Sequence, residues 1–239
     1  MKLIVAGATG LIGSELIKQS LQNSAITQVI ALARKPVEVD SANSSKLKNV
    51  TISDYGEYSD KVKAGLAGAD ACIWTVGVTP LKSKSLDIAE VKRVCQDCTL
   101  AGFKAIYEAG PARPFRFLYF SGDGVMEDPK AKKPLFLGDY MIMRAETDAI
   151  VRKLPEEYKD IEICVARPGL VMSSVTWTRA AMASVFSAIN FFTRAIPNVA
   201  VDELSVAVLD QVIAGFEKET LSNADLLRLG QAALEAKHT

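Results

Sequence analysis

Three glycines near the start of the chain constrain its fold more than any other feature. They lie in the segment Gly7-Ala8-Thr9-Gly10-Leu11-Ile12-Gly13, which follows a short apolar run and precedes an amphipathic helical pattern. Gly7 permits a tight turn, Gly10 opens the backbone to close approach, and Gly13 lets the helix pack on the strand. The helix N-terminus offers free N–H groups and a partial positive charge, so the segment predicts a turn that binds the phosphates of a dinucleotide. The residues expected at these phosphates are Gly7, Thr9, Gly10, Leu11, Ile12 and Gly13.

Apolar runs alternate with helical patterns over the first 170 residues. Strands are predicted at residues 3–6, 28–32, 50–52, 71–75, 115–120 and 161–166. Several are continuous apolar runs, which suit strands buried on both faces of a parallel sheet. Helices are predicted at residues 11–22, 58–67, 86–109 and 139–154. The alternation therefore predicts an α/β fold, a doubly wound parallel sheet with right-handed crossovers.

This alternation stops after the segment Arg167-Pro168-Gly169. The residues that follow show mostly helical patterns, at 176–194, 201–219 and 223–237. We expect a single domain, with a dinucleotide-binding core at residues 1–170 and a small helical extension at residues 171–239. The extension is expected on the substrate side, over the carboxyl ends of the strands. Its apolar side chains between residues 172 and 192 suit either a substrate pocket or a packing and dimer surface.

Composition excludes several classes of protein. The chain has 28 Lys and Arg against 28 Asp and Glu, whereas nucleic-acid binders usually carry a basic excess. Four scattered cysteines are too few for a secreted disulfide framework. The apolar stretch at residues 180–193 is shorter than the roughly 20 residues of a spanning helix. We therefore expect a cytoplasmic protein without a nucleic-acid partner or membrane span, and a homodimer is possible.

The sequence supports neither a histidine-based site nor a redox pair of cysteines. The only histidine is His238, close to the end of the sequence, so a Ser–His–Asp triad and a multi-histidine metal site are excluded. The acidic residues show no metal-ligand spacing, and no metal is expected. Cys95-Gln96-Asp97-Cys98 has the spacing of a redox pair but lies inside a long helical pattern. We therefore expect buried small side chains at these two cysteines.

The spacing Gly-x-x-Gly-x-x-Gly and the later segment Arg167-Pro168-Gly169 resemble the atypical and extended short-chain dehydrogenase/reductases. The resemblance covers the chain from residue 1 to about residue 170, and it includes branches similar to Tat-interacting proteins, NmrA-like proteins and epimerases. It implies a Rossmann fold that binds a nicotinamide dinucleotide. Sugar-nucleotide epimerisation is disfavoured because the C-terminal part has no evident cluster of basic residues for a diphosphate.

The end of the second predicted strand bears on the choice of cofactor. An NAD site usually places a carboxylate there to hold the ribose hydroxyls, but this chain has Arg34 and Lys35. Arg34 can pair with a 2′-phosphate and stack on adenine, and Lys35 adds charge. The alternative is that both are ordinary solvated residues. We expect NADP (NADPH) rather than NAD.

The resemblance places further residues along the cofactor. Asp54 and Tyr55 would contact the adenine edge, although an Asp in a surface loop is also unremarkable. The residues implied at the ribose, phosphate and nicotinamide are Val76, Gly77, Tyr140, Arg144, Pro168 and Gly169.

The resemblance also implies a catalytic set. In the family a Ser ends the fifth strand and a Tyr-x-x-x-Lys begins the next helix; here Ser121 and Tyr140 match, while Arg144 replaces the lysine. Ser121 would orient the substrate oxygen and Tyr140 would transfer the proton. The Arg144 charge favours phenolate and can hold a ribose hydroxyl, but a guanidinium cannot release a proton in a relay. The alternative interpretation is an aromatic and cationic pair on a helix surface.

These residues predict an NADP-dependent oxidoreductase that acts on the carbonyl or hydroxyl of a small, largely apolar molecule. A cofactor-binding regulator without turnover is the second hypothesis, favoured by Arg144. A non-redox isomerase or cyclase that uses the same pocket is the third.

Overall fold

Nine strands are found in a computed structural model that describes residues 1–40, 45–125, 137–172 and 198–238. They are β1 (Lys2–Ala6), β2 (Gln28–Ala33), β3 (Leu47–Thr51), β4 (Ala71–Trp74), β5 (Phe115–Phe120), β6 (Ile161–Ala166), β7 (Leu170–Met172), β8 (Asn198–Ala200) and β9 (Thr220–Leu221). Seven form a parallel sheet in the order β3-β2-β1-β4-β5-β6-β9, and β7 pairs with β8 separately.

The helices that connect these strands follow in chain order. They are α1 (Leu11–Gln22), α2 (Asp60–Leu66), α3 (Pro80–Ser83), α4 (Ile88–Lys92), α5 (Cys98–Glu108), α6 (Gly138–Glu157), α7 (Val201–Ala214) and α8 (Asn223–His238). A π-helical turn at Arg93–Asp97 joins α4 to α5, with the Cys98 N–H donating to the Arg93 carbonyl five residues back. None of the helices so described is long and apolar enough to cross a membrane.

Side chains from alternate positions of each strand enter two separate cores. In β1, Leu3 and Val5 face a core shared with α1 and α7, while Ile4 and Ala6 face one shared with α2, α5 and α6. The alternation follows from the twofold side-chain period of a strand. Helices on both faces of a parallel sheet confirm the predicted doubly wound α/β fold.

The six predicted strands and four core helices are confirmed, with small differences at their ends. The Ser59 hydroxyl caps α2 by accepting the Val62 N–H, so this helix begins two residues later than expected. Strand β9 was missed because it is only two residues long. It is paired with Val165 and Ala166 of β6, a contact that no local periodicity records.

The C-terminal helices α7 and α8 were expected over the carboxyl ends of the strands, but they lie in a different place. Leu204 and Val208 of α7 share a core with Leu3 of β1 and Leu16 of α1. Helix α8 packs on α7, where a Cβ on Gly230 would lie 2.5 Å from Glu203 Cγ. These two helices therefore belong to the layer on one face of the sheet. The predicted helix at residues 176–194 and most of the expected apolar pocket lie outside the described residues.

Candidate active site

The glycine turn has the geometry that its spacing predicts. Gly7 has a φ of +80°, and a Cβ there would lie 2.5 Å from Thr75 Oγ1. A Cβ on Gly13 would lie 2.2 Å from the Gly7 carbonyl oxygen, a distance that backbone atoms cannot relieve. Glycine is therefore required at position 7 by both the positive φ and the lack of space for a Cβ. At Gly13 it is required by the lack of space alone.

The N-terminus of α1 presents its N–H groups without a competing side chain. Gly10 is the N-cap and offers no side-chain acceptor, and the first turn contains no acidic residue. Helix geometry leaves the first N–H groups without intrahelical partners. Thr9, Gly10 and Leu11 are exposed, while Ile12 is half-buried. This arrangement fits the pyrophosphate of a dinucleotide, which would accept hydrogen bonds from the turn.

Arg34 and Lys35 follow β2 at the same edge of the sheet, and both are exposed. The Leu32 carbonyl accepts the N–H of Gly7 at 3.0 Å and the hydroxyl of Tyr55 at 3.1 Å. Burial raises the pKa of Tyr55, an effect that the Gly7 N–H and the Arg34 charge partly offset. Arg34, Tyr55 and the glycine turn therefore lie within electrostatic reach of one another.

Asp54 is held by protein partners that the sequence did not predict. Its carboxylate accepts the Gly56 N–H at 2.7 Å and the Arg93 Nη1 at 3.1 and 3.0 Å. The Gly56 N–H and the Arg93 guanidinium lower the pKa of Asp54 against the opposing effect of burial. Arg93 also binds Glu90 at 2.8 and 2.9 Å, a pair that the i, i+3 spacing could have indicated.

The loop after β4 joins the glycine turn to helix α6. The Thr75 hydroxyl donates to the Ala6 carbonyl at 2.7 Å, and Val76 is buried behind the turn. A Cβ on Gly77 would lie 3.8 Å from Arg144 Nη1 and 3.9 Å from Cys95 Sγ. The predicted phosphate and catalytic residues therefore form one continuous edge.

Tyr140 is a buried side chain whose hydroxyl donates to the Val78 carbonyl at 2.9 Å. Burial raises the pKa of Tyr140, although the Arg144 charge acts to lower it. Arg144 thus acts in the expected direction, but burial outweighs it. The neutral phenol is the favoured form.

Arg144 is also buried, with 5% of its surface exposed. Its Nη2 donates to the Phe120 carbonyl at 2.6 Å, and its Cζ lies 5.2 Å from the centre of the Tyr119 ring. The alternative of a pair on a helix surface is therefore wrong for Tyr140 and Arg144. Both side chains point from α6 to the carboxyl edge of the sheet.

Ser121 follows β5 at this edge, directly after the carbonyl that Arg144 binds. Its backbone N–H donates to the Ala166 carbonyl at 2.8 Å. Its hydroxyl is buried and makes no hydrogen bond to any residue that the structure describes. A buried hydroxyl without a partner is costly, so the Ser121 side chain is suited to bind an incoming polar atom.

A buried carboxylate on α6 holds the loop after β6. Asp148 is 1% exposed and accepts Arg167 Nε at 2.9 Å and Nη2 at 3.0 Å. Arg152 Nε donates to the same carboxylate at 2.9 Å. Burial by itself would raise the pKa of Asp148, but hydrogen bonds and charge from the two arginines hold it below the usual value. The sequence analysis missed Asp148, which lies four residues after Arg144.

The loop at Pro168 and Gly169 is fixed from two further directions. The Pro168 carbonyl accepts the Asp123 N–H at 2.7 Å, and the Gly169 N–H donates to Asn223 Oδ1 at 2.8 Å. Asn223 is buried at the start of α8. The C-terminal region therefore supports the site through the Asn223 side chain and through the Leu221 carbonyl, which accepts the Arg167 N–H at 2.8 Å.

The four cysteines are buried and unpaired, as expected for Cys95 and Cys98. Within the described ranges, no three His, Cys, Asp or Glu side chains are grouped so that they could hold a metal ion.

Comparisons with known proteins show the family and the fold of this chain. A family model described as NAD(P)H-binding matches residues 7–211. Over 124 residues the chain is 35% identical to the Leucinostatins biosynthesis cluster protein T of Purpureocillium lilacinum, covering 52% of this chain and 44% of that protein. Over 140 residues it is 29% identical to the Protein FMP52, mitochondrial, of Candida albicans, covering 54% of this chain and 59% of that protein. The chain spans about half the length of these curated relatives.

A solved short-chain dehydrogenase/reductase from Saccharomyces cerevisiae has a similar fold. The TM-score is 0.67 at 14% identity, and the superposition covers 95% of this chain and 98% of that one. At this identity the likeness shows the Rossmann fold alone.

Proposed function

The chain belongs to the NAD(P)H-binding family, and we propose that it is an NADP-dependent oxidoreductase of the atypical short-chain type. Its substrate would be a small, largely apolar molecule with a carbonyl to reduce or a hydroxyl to oxidise. The observation that carries this proposal is the close approach of Gly77 to Arg144, where a Cβ on Gly77 would lie 3.8 Å from Arg144 Nη1, because it brings the dinucleotide edge beside the Tyr140 helix.

The preference for NADP is supported by the charges that follow β2. Arg34 and Lys35 are exposed beside the glycine turn, and the next carboxylate along the chain is Glu38. A guanidinium binds a phosphate through two parallel hydrogen bonds, which suits the 2′-phosphate of NADP.

The mechanism assigns separate tasks to three side chains. Bound at this edge, a nicotinamide supplies the hydride chemistry typical of this class of enzyme. Tyr140 keeps its proton at neutral pH, because the ordinary pKa of tyrosine is about 10 and burial raises it further, and it therefore serves as the general acid for a substrate oxygen. The Ser121 hydroxyl orients that oxygen. Arg144 keeps a positive charge beside Tyr140 and fixes the end of β5 through the Phe120 carbonyl.

A cofactor-binding protein without turnover is the second candidate. The observation that favours it is the use of both Tyr140 and Arg144 in hydrogen bonds to backbone carbonyls. In such a protein these side chains would stabilise the fold of the binding edge rather than contact a substrate.

Turnover with a panel of ketones, aldehydes and quinones distinguishes the two candidates. With NADPH as the reductant, we expect Tyr140→Phe to lower kcat by roughly 100-fold to 10,000-fold, the usual contribution of a positioned acid. The Kd for NADPH should stay close to the wild-type value. The control is Tyr158→Phe, in an aromatic cluster with Phe103 and Tyr107.

Each outcome of this experiment decides between the candidates. Tight NADPH binding by a wild-type protein that turns over no substrate would favour the second candidate. Full activity in Tyr140→Phe would overturn the role of Tyr140. The cytoplasmic location, the homodimer and the lack of a nucleic-acid partner stay predictions.

A further inference from the structure

Val78 connects the thiol of Cys95 to the hydroxyl of Tyr140 through its own peptide groups. Its N–H donates to Cys95 Sγ at 3.2 Å, and its carbonyl accepts the Tyr140 hydroxyl at 2.9 Å. One backbone residue therefore makes two side-chain hydrogen bonds, one to the π-helical turn and one to α6.

These groups lie in a small apolar cluster of their own. Cys95 is fully buried, Val78 and Tyr140 are each 8% exposed, and all three pack with Val91 and Met143. Buried peptide groups require partners, because an unsatisfied N–H or carbonyl costs about 1–3 kcal/mol. The conformation of the loop at Val78 therefore depends on the side chains of Cys95 and Tyr140, which bind its two peptide groups.

The π-helical turn explains how Cys95 faces this loop. A π-helical turn includes one more residue in its hydrogen-bonded ring than an α-helical turn, and such turns are frequent at functional sites. Cys95 lies in the middle of Arg93–Asp97. Its sulfur is also near Gly77, where a Cβ would lie 3.9 Å from it.

We propose that Cys95 is a positioning residue for Tyr140: its sulfur fixes the Val78 peptide, and the Val78 carbonyl sets the direction of the Tyr140 hydroxyl. Cys95 contacts no substrate in this scheme and acts only through the backbone. The proposal rests on the proposed function for its catalytic meaning, but the hydrogen bonds themselves can be tested without turnover.

The sign of the effect on Tyr140 follows from its acceptor. The Val78 carbonyl binds only the protonated phenol, and a hydrogen bond to the neutral form disfavours ionisation. Among the residues that the structure describes, the other titratable groups that face Tyr140 are Arg144 on α6, Cys95 on the π-helical turn and Tyr119 on β5. Loss of the sulfur acceptor loosens the Val78 peptide, weakens its bond to Tyr140 and therefore lowers the pKa of Tyr140.

Carbon-13 NMR of protein labelled at tyrosine Cζ measures this directly. The Tyr140 resonance is assigned with Tyr140→Phe and followed from pH 7 to the highest pH at which the protein stays folded. We expect ionisation in Cys95→Ala to begin roughly half to one pH unit lower than in wild type, as loss of one ordinary hydrogen bond implies. Cys95→Ser keeps an acceptor and should stay nearer to wild type.

Cys164→Ala is the matched control, since it removes the same thiol from a fully buried position in β6. It should leave the Tyr140 resonance unchanged. The proposal would be overturned if Tyr140 ionised over the same pH range in wild type, Cys95→Ala and Cys95→Ser. It would also be overturned if Cys164→Ala shifted the ionisation of Tyr140 as much as Cys95→Ala does. If Cys95→Ala does not fold, Cys95→Val decides, because it also removes the sulfur acceptor but fills more of the buried space.

Kinetics separate this proposal from the proposed function. With an active wild-type enzyme, Cys95→Ala should lower kcat by roughly tenfold with little change in the KM for NADPH, because misplaced catalytic groups act on rate. Its pH profile should shift in the same direction as the NMR titration. Shifted resonances without any turnover would uphold the positioning role of Cys95 while refuting the proposed enzyme.

Discussion

Removing the Asp148 carboxylate should destabilise the protein through the two arginines that it leaves behind. Asp148 is 1% exposed, and the Arg167 side chain that it binds twice is 14% exposed. Arg152 is 30% exposed, so water can solvate it after the carboxylate is lost. The main penalty therefore comes from Arg167, whose guanidinium loses two hydrogen bonds to the carboxylate at a position with little access to water.

The expected magnitude follows from these exposures. Breaking a buried ion pair by removing one partner costs about 3–5 kcal/mol, and an exposed pair is worth about 1 kcal/mol or less. We therefore expect Asp148→Leu to lower the free energy of unfolding by roughly 4 kcal/mol. For a chain of this length that corresponds to a Tm about 10 °C lower.

A double-mutant cycle measured by urea unfolding tests the cause. Adding Arg167→Met to Asp148→Leu should restore most of the lost stability, because an apolar pair often replaces a buried ion pair at little cost. The control is Glu108→Leu, which removes exposed ion pairs with Lys63 and Lys104 and should cost far less stability than Asp148→Leu. A loss below about 1 kcal/mol in Asp148→Leu, or a double variant no more stable than the single one, would refute this reasoning.

The dependence on pH of the stability that Asp148 contributes has a defined sign. The arginines hold the pKa of Asp148 below its unfolded value of about 3.9, so the ionised carboxylate stabilises the folded state above that pH. This contribution is lost as pH falls through the folded-state pKa. Wild type and Asp148→Asn should therefore differ in stability at neutral pH and converge in acid.

Two further predictions concern the dinucleotide edge. Arg34→Ala should weaken NADPH binding by roughly 10-fold or more and NADH binding little, as measured by fluorescence titration; equal weakening of both would exclude a bond to the 2′-phosphate. Gly13→Ala should lower stability by at least about 1–3 kcal/mol and abolish measurable NADPH binding, because its Cβ would overlap the Gly7 carbonyl. Gly122→Ala is the control, since a Cβ there meets no atom of the described residues within 4 Å, and a tolerated Gly13→Ala would contradict the close-packing argument.

The fold was predictable because its main signals are local. The strands at the centre of the sheet are continuous apolar runs, and the glycine turn requires only its own spacing. The same holds for the order of Ser121, Tyr140 and Arg144 along the chain. A strand of two residues such as β9 carries no such signal, since its place depends on Val165 and Ala166.

The contacts that hold the site could not be predicted for the same reason. Arg93 and Asp54 are 39 residues apart, and Tyr140 and Val78 are 62 residues apart. No spacing rule links such residues, because the sheet order rather than the sequence brings them together. Burial of Tyr140 and Arg144 likewise depends on the loop after β4. The sequence alone therefore could not exclude that these two side chains form a pair on the surface of the helix.

The bond between Tyr140 and Val78 also bears on how the site could favour reaction over binding. A neutral ketone oxygen accepts a hydrogen bond about as well as the Val78 carbonyl does. Moving the Tyr140 hydrogen bond from Val78 to the bound ketone therefore gains little free energy. The oxygen gains negative charge as hydride arrives, and hydrogen bonds to charged acceptors are roughly twice as strong as neutral ones. The Tyr140 hydroxyl, which Val78 holds in place until then, would therefore turn to the substrate oxygen mainly at the transition state, where binding energy raises kcat rather than lowering KM.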